Sequence, residues 1–217
     1  MTDYQKPVGI LGGTFDPIHH GHLRLAIECY ERLDLGEVRF IPLNSPPHRN
    51  KPFASPEQRL AMLKLAIKNI HGLVIDEWEL QRQEISYTID TVKFAREKSG
   101  NTPICLLVGT DAFNTLHTWH DWKSLLDYVH IVIAERRGNQ DRQQIPELIQ
   151  LLANHKTDHA DILKKEPAGK IFEIEIPLLD ISATQIREIL KIKGNPEFLL
   201  PGEVIRYIHN NNIYQTG

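Results

Sequence analysis

The 217-residue sequence has little net charge, only two cysteines and no long apolar run. No stretch approaches the roughly 20 apolar residues of a transmembrane helix, so we expect no membrane association. A net charge of −3 argues against long-range attraction to nucleic acid, so an anionic ligand has to be bound by locally placed groups. The polar segment Met1 to Lys6 does not resemble a signal peptide. Cys29 and Cys105 lie in apolar segments and predict buried free thiols, which favours a cytoplasmic protein.

Several common catalytic and nucleotide-binding motifs are also missing. The glycines of the first apolar segment are Gly9, Gly12 and Gly13, which do not form the G-x-G-x-x-G fingerprint of dinucleotide-binding folds. No Gly-Lys-Ser/Thr follows a glycine loop, so a Walker motif is absent as well. We find no Ser-His-Asp or Cys-His arrangement for nucleophilic catalysis.

Strand-like and helix-like segments alternate along almost the whole chain. This pattern predicts an α/β fold of the Rossmann-like, doubly wound type, with a mainly parallel sheet, flanking helices and a small C-terminal helical part. We expect one domain over residues 1–217, with a core over about 1–180 and a helical segment over about 181–217. Residues 76–84 are predicted to be an exposed polar connection and residues 154–169 a surface loop. Ser55 and Ser182, each followed three residues later by glutamine, predict helix starts with capping boxes.

The most informative stretch runs from Val8 to His22. A short apolar run, two glycines and a helical pattern predict a strand, a tight turn and a helix, with His19 and His22 at the start of the helix. Free backbone N–H groups and the positive end of the helix dipole attract phosphate at such a position. A zinc site is the alternative, but no nearby cysteine or carboxylate pattern completes a shell of four ligands. Phosphate contact is the better interpretation, and we predict no protein-held metal.

Several residues lie just past predicted strand ends and should meet at one edge of the sheet: Gly12, Gly13, Asn44, Gly109, Asp111 and Arg136. Asp111 suits a ribose hydroxyl, with a helix cap as the alternative, and Trp119 suits stacking on a flat ring, with core packing as the alternative. Arg187 lies about one turn beyond Thr184 and offers a planar fork for phosphate oxygens. Ligands of open parallel sheets bind beyond the carboxyl ends of the strands, so this convergence predicts a binding site.

Two motifs together resemble the nucleotidyltransferase superfamily. They are Gly-Gly-Thr-Phe-Asp-Pro-x-His-x-Gly-His over residues 12–22 and Ile-Ser-x-Thr-x-Ile-Arg over residues 181–187. More narrowly, the chain is similar to the family of bacterial nicotinate-nucleotide adenylyltransferases. The segments that support this narrower resemblance are 46–49, 86–88, 109–111, 118–119, Arg136 and 199–201. The resemblance covers essentially the whole chain.

The resemblance implies transfer of the adenylyl group of ATP to nicotinate mononucleotide, which gives nicotinate adenine dinucleotide and pyrophosphate. It also implies Mg²⁺ carried mainly by the ATP phosphates, and we expect a monomer or a small homo-oligomer. The implied catalytic residues are His19, His22 and Arg187. The implied ATP-binding residues are Gly12, Gly13, Thr14, Phe15, His19, His22, Gly109, Asp111, Ile181, Ser182, Thr184 and Arg187. The implied nicotinate mononucleotide-binding residues are Asn44, His48, Thr88, Trp119, His120 and Arg136.

Two alternatives remain open from the sequence. A related adenylyl- or cytidylyltransferase would use another phosphate acceptor, such as nicotinamide mononucleotide or phosphopantetheine, and the segments around Thr88 and Trp119 argue for the nicotinate compound instead. A catalytically silent nucleotide-binding protein is the second alternative. The presence of His19, His22 and Arg187 argues against it.

Overall fold

A computed structural model describes residues 5–44, 51–82, 85, 87–135, 143–177 and 179–215. Within these residues, seven strands form one sheet, and every pair of neighbouring strands is parallel. The strands are β1 Val8–Gly13, β2 Glu37–Pro42, β3 Leu73–Ile75, β4 Ile104–Gly109, β5 His130–Glu135, β6 Lys156–Thr157 and β7 Ile171–Glu175. Their spatial order is β3-β2-β1-β4-β5-β7-β6. The predicted Rossmann-like parallel sheet is confirmed.

Helices connect the strands and cover both faces of the sheet. The α-helices of the described residues are α1 His20–Arg32, α2 Pro56–Ile67, α3 Thr88–Ser99, α4 Thr110–Asn114, α5 Pro146–His155, α6 Ile162–Lys165, α7 Ala183–Lys191 and α8 Gly202–Asn210. Short 3₁₀ helices occupy Trp78–Gln81, Leu116–Thr118 and Trp122–Asp127. The longest described helix, α1, has 13 residues, and no helix in this part of the chain is long and apolar enough to cross a membrane.

Two apolar cores lie on opposite faces of the sheet. Consecutive strand residues point to opposite faces, so Leu11 and Leu107 join a core with α1, α2, α7 and α8, whereas Ile10 and Leu106 join a core with α3 and α5. Burial on both faces explains why β4 and β5 are continuous apolar runs rather than alternating ones. Cys29 and Cys105 are both buried and free, as predicted.

The two serine-headed helix starts are present. Ser55 accepts a hydrogen bond from the backbone N–H of Gln58, and the Gln58 side chain accepts one in return from the Ser55 N–H, so the first capping box is complete. Ser182 accepts from the Gln185 N–H at 3.1 Å. Each cap satisfies an N–H group that the first turn of a helix leaves unpaired, and so fixes where α2 and α7 begin.

Two loop predictions are wrong. The connection predicted to be exposed contains the 3₁₀ helix Trp78–Gln81, and Glu79 within it is only 2% exposed and accepts a hydrogen bond from Thr91. Residues 83–84 of this connection lie outside the described residues. The predicted surface loop over 154–169 contains β6, which pairs with β7, and α6, whose Leu163 is buried in the same core as α1. In each segment, the tertiary burial of one side chain, Glu79 in the first and Leu163 in the second, outweighs the polar composition.

The strand order places a crevice at the centre of the sheet. β1 is flanked by β2 on one side and by β4 on the other, so the chain winds outward from β1 in both directions. At such a switch point, the loops that leave β1 and β4 separate and expose the strand ends. Gly13 ends β1 and Gly109 ends β4, which puts the glycine-rich turn and the Gly109–Asp111 segment at this crevice.

Candidate active site

An open cleft of about 1520 Å³ lies beyond the carboxyl ends of β1 and β4. The segment Gly12–His22 and the segment Ile181–Arg187 both contribute to its walls, although about 160 residues separate them in the sequence. All twelve residues predicted to bind ATP line this cleft. The predicted convergence of strand-end residues is therefore seen for Gly12, Gly13, Gly109 and Asp111, whereas Asn44 does not line the cleft and Arg136 lies outside the described residues.

The glycine-rich turn leaves space in the cleft. A Cβ added at Gly12 or Gly109 would meet no atom of the described residues within 4 Å, so the backbone at both strand ends is open to a ligand. Gly13 is different, because a Cβ there would lie 2.8 Å from the ring of Phe15. Phe15 has a φ of +50° and folds its buried ring back over the turn. Gly9 is a packing glycine, since a Cβ there would lie 2.9 Å from Leu35.

The two histidines of the first motif are held side by side. Their rings stack with centroids 3.6 Å apart and an interplanar angle of 24°. The backbone N–H of His19 donates to Nδ1 of His22 at 3.3 Å. A Cβ at Gly21 would lie 2.9 Å from Nδ1 of His19, so a glycine between the histidines permits this stacking. The same Cβ would lie 3.5 Å from the carbonyl oxygen of Ile181, so the second motif packs directly against the first turn of α1.

Burial favours the neutral form of both imidazoles. It lowers the pKa of His19 to about 4, with a smaller effect from the neighbouring His20. It also lowers the pKa of His22 well below the ordinary 6.5, and the proximity of His19 acts in the same direction. Because Nδ1 of His22 accepts a hydrogen bond, the proton of its neutral ring is on Nε2. His22 therefore presents an N–H donor without carrying a charge.

The second motif supplies the opposite wall. Arg187 donates from Nη1 to the main-chain oxygen of Asp16 at 2.6 Å and from Nη2 to the Thr184 hydroxyl at 3.1 Å. Its guanidinium also lies 4.8 Å from the centre of the Phe53 ring. These contacts hold the planar fork against the first motif. Ser182 caps α7, so the capping interpretation of this serine is correct, and its exposed hydroxyl also lines the cleft.

Only some of the residues predicted to bind nicotinate mononucleotide line the cleft. Thr88, Trp119 and His120 line the cleft, and the His120 ring lies 4.4 Å from that of Tyr87. Asn44 is not among the lining residues, and its amide donates to the Arg82 carbonyl at 2.5 Å. His48 and Arg136 lie outside the described residues. Trp122, which is half-buried, packs against the core and does not line the cleft.

Sequence reasoning missed several residues of the site. Asp16 belongs to the first motif, yet no role was assigned to it. Its buried carboxylate accepts hydrogen bonds from the backbone N–H groups of Phe53 and Ala54, at 2.8 and 3.0 Å. Arg59 is fully buried beneath the glycine-rich turn and donates to the Thr14 carbonyl at 2.7 Å. A charged residue in the apolar stripe of a predicted helix was the available signal for Arg59, whereas no local pattern indicates Phe53.

Known proteins define the class of this chain. The family model described as "Cytidylyltransferase-like" matches residues 10–189. This range includes both motifs and all of the parallel sheet except its first two residues. The chain therefore belongs to the cytidylyltransferase-like family of nucleotidyltransferases.

Curated relatives narrow the assignment to one branch of this family. The chain is 46% identical to a probable nicotinate-nucleotide adenylyltransferase of Aeromonas salmonicida, over 98% of this chain and 99% of the relative. It is 39% identical to a protein of the same name from Methylococcus capsulatus, over 95% of this chain and 99% of the relative. The group to which the chain belongs is that of the nicotinate-nucleotide adenylyltransferases.

Solved structures show the same fold. The chain superposes with a TM-score of 0.74 on Plasmodium falciparum nicotinic acid mononucleotide adenylyltransferase complexed with NaAD, with 19% identity and coverage of 96% of this chain and 97% of the other. A putative nicotinate-nucleotide adenylyltransferase of Vibrio parahaemolyticus gives a TM-score of 0.64 at 13% identity, over 96% and 95% of the two chains. The arrangement of strands and helices is thus retained where the sequences have diverged widely.

Proposed function

We propose that this protein transfers the adenylyl group of ATP to nicotinate mononucleotide, releasing pyrophosphate and forming nicotinate adenine dinucleotide. The observation that carries the proposal is the meeting of the two motifs across one cleft. The backbone of Ile181 packs against the first turn of α1, and Arg187 is bonded to Asp16 of the first motif. A nucleotide bound at the open glycines would therefore contact both walls at once.

The reaction needs protein groups that position the substrates and neutralise phosphate charge rather than a protein nucleophile. The acceptor phosphate is already ionised near neutral pH, so the reaction needs no strong general base. We infer in-line attack on the α-phosphate without a covalent intermediate. Donors aimed at the position where negative charge develops stabilise such a transition state. The Nε2–H of His22 is one donor of this kind, and His19 is stacked beside it.

The leaving pyrophosphate is assigned to the second motif. Arg187, Thr184 and Ser182 lie at the start of α7 and line the cleft. A guanidinium fork with a hydroxyl beside it matches the oxygens of a phosphate group. The N-terminal end of α7 adds its partial positive charge in the same place. Because Arg187 is held by the main chain of the first motif, its charge is in place before the substrate arrives.

The acceptor is assigned to the part of the cleft formed by Thr88 and Trp119. Trp119 lines the cleft and offers an aromatic surface to a flat ring, and Thr88 begins α3. His120 lies beside them, next to the ring of Tyr87. Roles for Asn44, His48 and Arg136 stay predictions. Of these three, only Asn44 belongs to the described residues, and its amide N–H already has a protein partner.

We propose that Mg²⁺ is brought to the site by the nucleotide. Among the described residues, no group of three or more histidine, cysteine, aspartate or glutamate side chains could hold a metal by itself. Mg²⁺ commonly keeps several waters and is bound through substrate phosphates. When bound to ATP, it would neutralise phosphate charge, while Arg187, His19 and His22 supply the protein donors. We also propose a cytoplasmic location, since both cysteines are free and buried.

The test is the release of pyrophosphate from ATP and Mg²⁺, compared for nicotinate mononucleotide, nicotinamide mononucleotide and phosphopantetheine. We expect release with nicotinate mononucleotide at a kcat/KM at least tenfold above that for either other acceptor. Faster release with phosphopantetheine would assign the protein to a related transferase. Absence of release with all three acceptors, in a preparation that binds ATP, would indicate a silent nucleotide-binding protein.

A further inference from the structure

Asp16 connects three distant segments behind the phosphate-binding wall. Its side chain is 5% exposed and accepts from the backbone N–H groups of Phe53 and Ala54. Its Oδ1 also accepts from the Tyr214 hydroxyl at 2.7 Å. Its main-chain oxygen accepts from Nη1 of Arg187 at 2.6 Å. The position of the guanidinium therefore depends on how Asp16 is held.

Tyr214 reaches Asp16 from outside the cleft. A second cavity, of about 590 Å³, adjoins the cleft, and Phe53, Thr184 and Arg187 line both spaces and so form the wall between them. Tyr214 lines only the second cavity. Because Tyr214 does not line the cleft, we expect an effect on the nucleotide to pass through Asp16 and Arg187. The sequence separation of Tyr214 and Asp16 is 198 residues.

The tyrosine is held firmly and acts as a donor. Burial, followed by the negative charge of Asp16, raises the pKa of Tyr214 far above the ordinary 10, so its hydroxyl stays protonated. Its backbone has a φ of +64°, a conformation that residues with a side chain rarely adopt. The preceding Ile213 is buried and donates its N–H to the Ile208 carbonyl of α8 at 3.0 Å. Strained backbone that the surrounding contacts maintain is often found at functional sites.

We propose that Tyr214 is a positioning residue for the pyrophosphate-binding group Arg187. Its hydroxyl fixes the Asp16 side chain, and the Asp16 main chain in turn fixes the guanidinium. The inference rests on the proposed function, in which Arg187 holds the departing pyrophosphate. Without the hydroxyl, Asp16 keeps its two backbone donors but loses its link to the C-terminal segment. The Arg187 fork then has room to withdraw into the second cavity.

The test is Tyr214→Phe, assayed in both directions. In the reverse reaction, from pyrophosphate and nicotinate adenine dinucleotide, we expect the KM for pyrophosphate to rise about tenfold, the lower end of the range for one hydrogen bond to a charged group, because the effect on Arg187 is indirect. The KM for nicotinate mononucleotide in the forward reaction should stay within twofold of the wild type. The matched control is Tyr30→Phe, which removes a hydroxyl bonded to Nδ1 of His71 at 3.1 Å on the surface, and both KM values should be unchanged there.

Several outcomes would overturn the inference. An unchanged KM for pyrophosphate in Tyr214→Phe would show that the hydroxyl does not position Arg187. An equal rise in both KM values, or failure of the variant to fold, would show that Tyr214 has a purely structural role. The double variant Tyr214→Phe, Arg187→Ala separates this inference from the proposed function. If Tyr214 acts through Arg187, its substitution changes the pyrophosphate KM less than twofold in the Arg187→Ala background. If Arg187→Ala alone leaves the KM for pyrophosphate unchanged, the proposed role of Arg187 is wrong. If Arg187→Ala raises this KM but Tyr214→Phe does not, the proposed function stands and this inference fails.

Discussion

The imidazole rings of His19 and His22 are stacked in the wall of the cleft, with centroids 3.6 Å apart. The hydrogen bond from the His19 backbone N–H to Nδ1 of His22 fixes both the rotamer and the tautomer of the His22 ring. Two protonated rings at this distance would repel each other, and burial disfavours the charge on either one. The site therefore holds two neutral histidines, and His22 can donate its Nε2–H to a phosphate oxygen while Nδ1 keeps its bond to the His19 backbone N–H.

The depressed pKa of His19 predicts loss of stability in mild acid. Because the folded-state pKa is about 4 and the ordinary value is 6.5, the unfolded chain binds the proton first as the pH falls. The stabilisation is present above about pH 6.5 and is lost toward pH 4. By linkage, the protonation of His19 alone should lower the free energy of unfolding by about 2 kcal/mol between pH 7.5 and pH 5. Urea unfolding at both pH values should show this loss in the wild type and a smaller one in His19→Gln.

The control for this experiment is His159→Gln, which removes an exposed histidine far from the cleft. It should lose as much stability between the two pH values as the wild type. The pKa of the buried His130 is lowered by burial and does not depend on His19, so its contribution is the same in all three proteins and cancels in the comparison. An equal loss in the wild type and in His19→Gln would show that the folded-state pKa of His19 is not depressed.

His22→Ala should reduce turnover far more than it weakens ATP binding. Removal of one donor that stabilises developing charge typically lowers kcat about 10²- to 10³-fold. The KM for ATP should change much less, because Arg187, Thr184 and the backbone at the strand ends are retained. Steady-state kinetics with saturating nicotinate mononucleotide would measure both constants.

His20→Ala is the matched control for this substitution. His20 is the neighbour of His19, does not line the cleft, and bonds to Leu199 through its backbone N–H, which alanine keeps. Its kcat should stay within twofold of the wild type. Survival of kcat within about threefold in His22→Ala would remove His22 from the chemistry.

The sequence predicted the parts of this site that lie close to strand ends. β1 and β4 are short apolar runs that end at glycines, and parallel strands bring their ends to one edge, so Gly12, Gly109 and the motif histidines could be placed together. The contact of Tyr214 with Asp16 could not be predicted. It depends on the path of the C-terminal segment after α8, and neither residue belongs to a periodic pattern that indicates a partner.

The wrong loop predictions also arise from tertiary contacts that no local sequence pattern indicates. The polar composition of residues 154–169 predicted a surface loop, but Leu163 is 1% exposed because it packs beside α1. A four-residue helix such as α6 has little intrinsic stability and forms only where tertiary contacts support it. Local pattern therefore predicts long elements well and misses short ones that a single buried residue stabilises.

Gly12→Ala should separate folding from nucleotide binding. A methyl group at Gly12 would meet no described protein atom within 4 Å, so stability should be unchanged or rise by up to about 1 kcal/mol. The methyl group would, however, occupy space that the nucleotide uses. Overpacking of this size costs about 1–3 kcal/mol, so the KM for ATP should rise about fivefold or more. Thermal unfolding and steady-state kinetics measure the two effects.

Gly202→Ala is the control for the same change. Its added Cβ would lie 3.6 Å from Nη1 of Arg206, an ordinary contact at the start of α8. Both stability and the KM for ATP should stay close to the wild type. If Gly12→Ala also binds ATP normally, the nucleotide does not approach the end of β1, and the ATP site has to be placed elsewhere in the cleft.

Trp119→Leu should weaken the acceptor and leave ATP unaffected. Trp119 and Trp122 both pack partly against the core on the α3 side of the sheet, but only Trp119 lines the cleft. Stacking of a flat ring on an aromatic side chain is worth about 1–3 kcal/mol. The KM for nicotinate mononucleotide should therefore rise at least about fivefold, while the KM for ATP stays within twofold.

Trp122→Leu removes a comparable ring from the same core without reaching the cleft. Both variants should lose stability through lost packing, so a stability loss alone cannot explain a difference between them. The expected result is a raised KM for nicotinate mononucleotide in Trp119→Leu only. If the two variants raise this KM equally, the effect comes from the core and Trp119 does not stack on the acceptor. If Trp119→Leu raises the KM for ATP instead, the ring stacks on adenine. Each substrate then occupies the part of the cleft that is assigned here to the other.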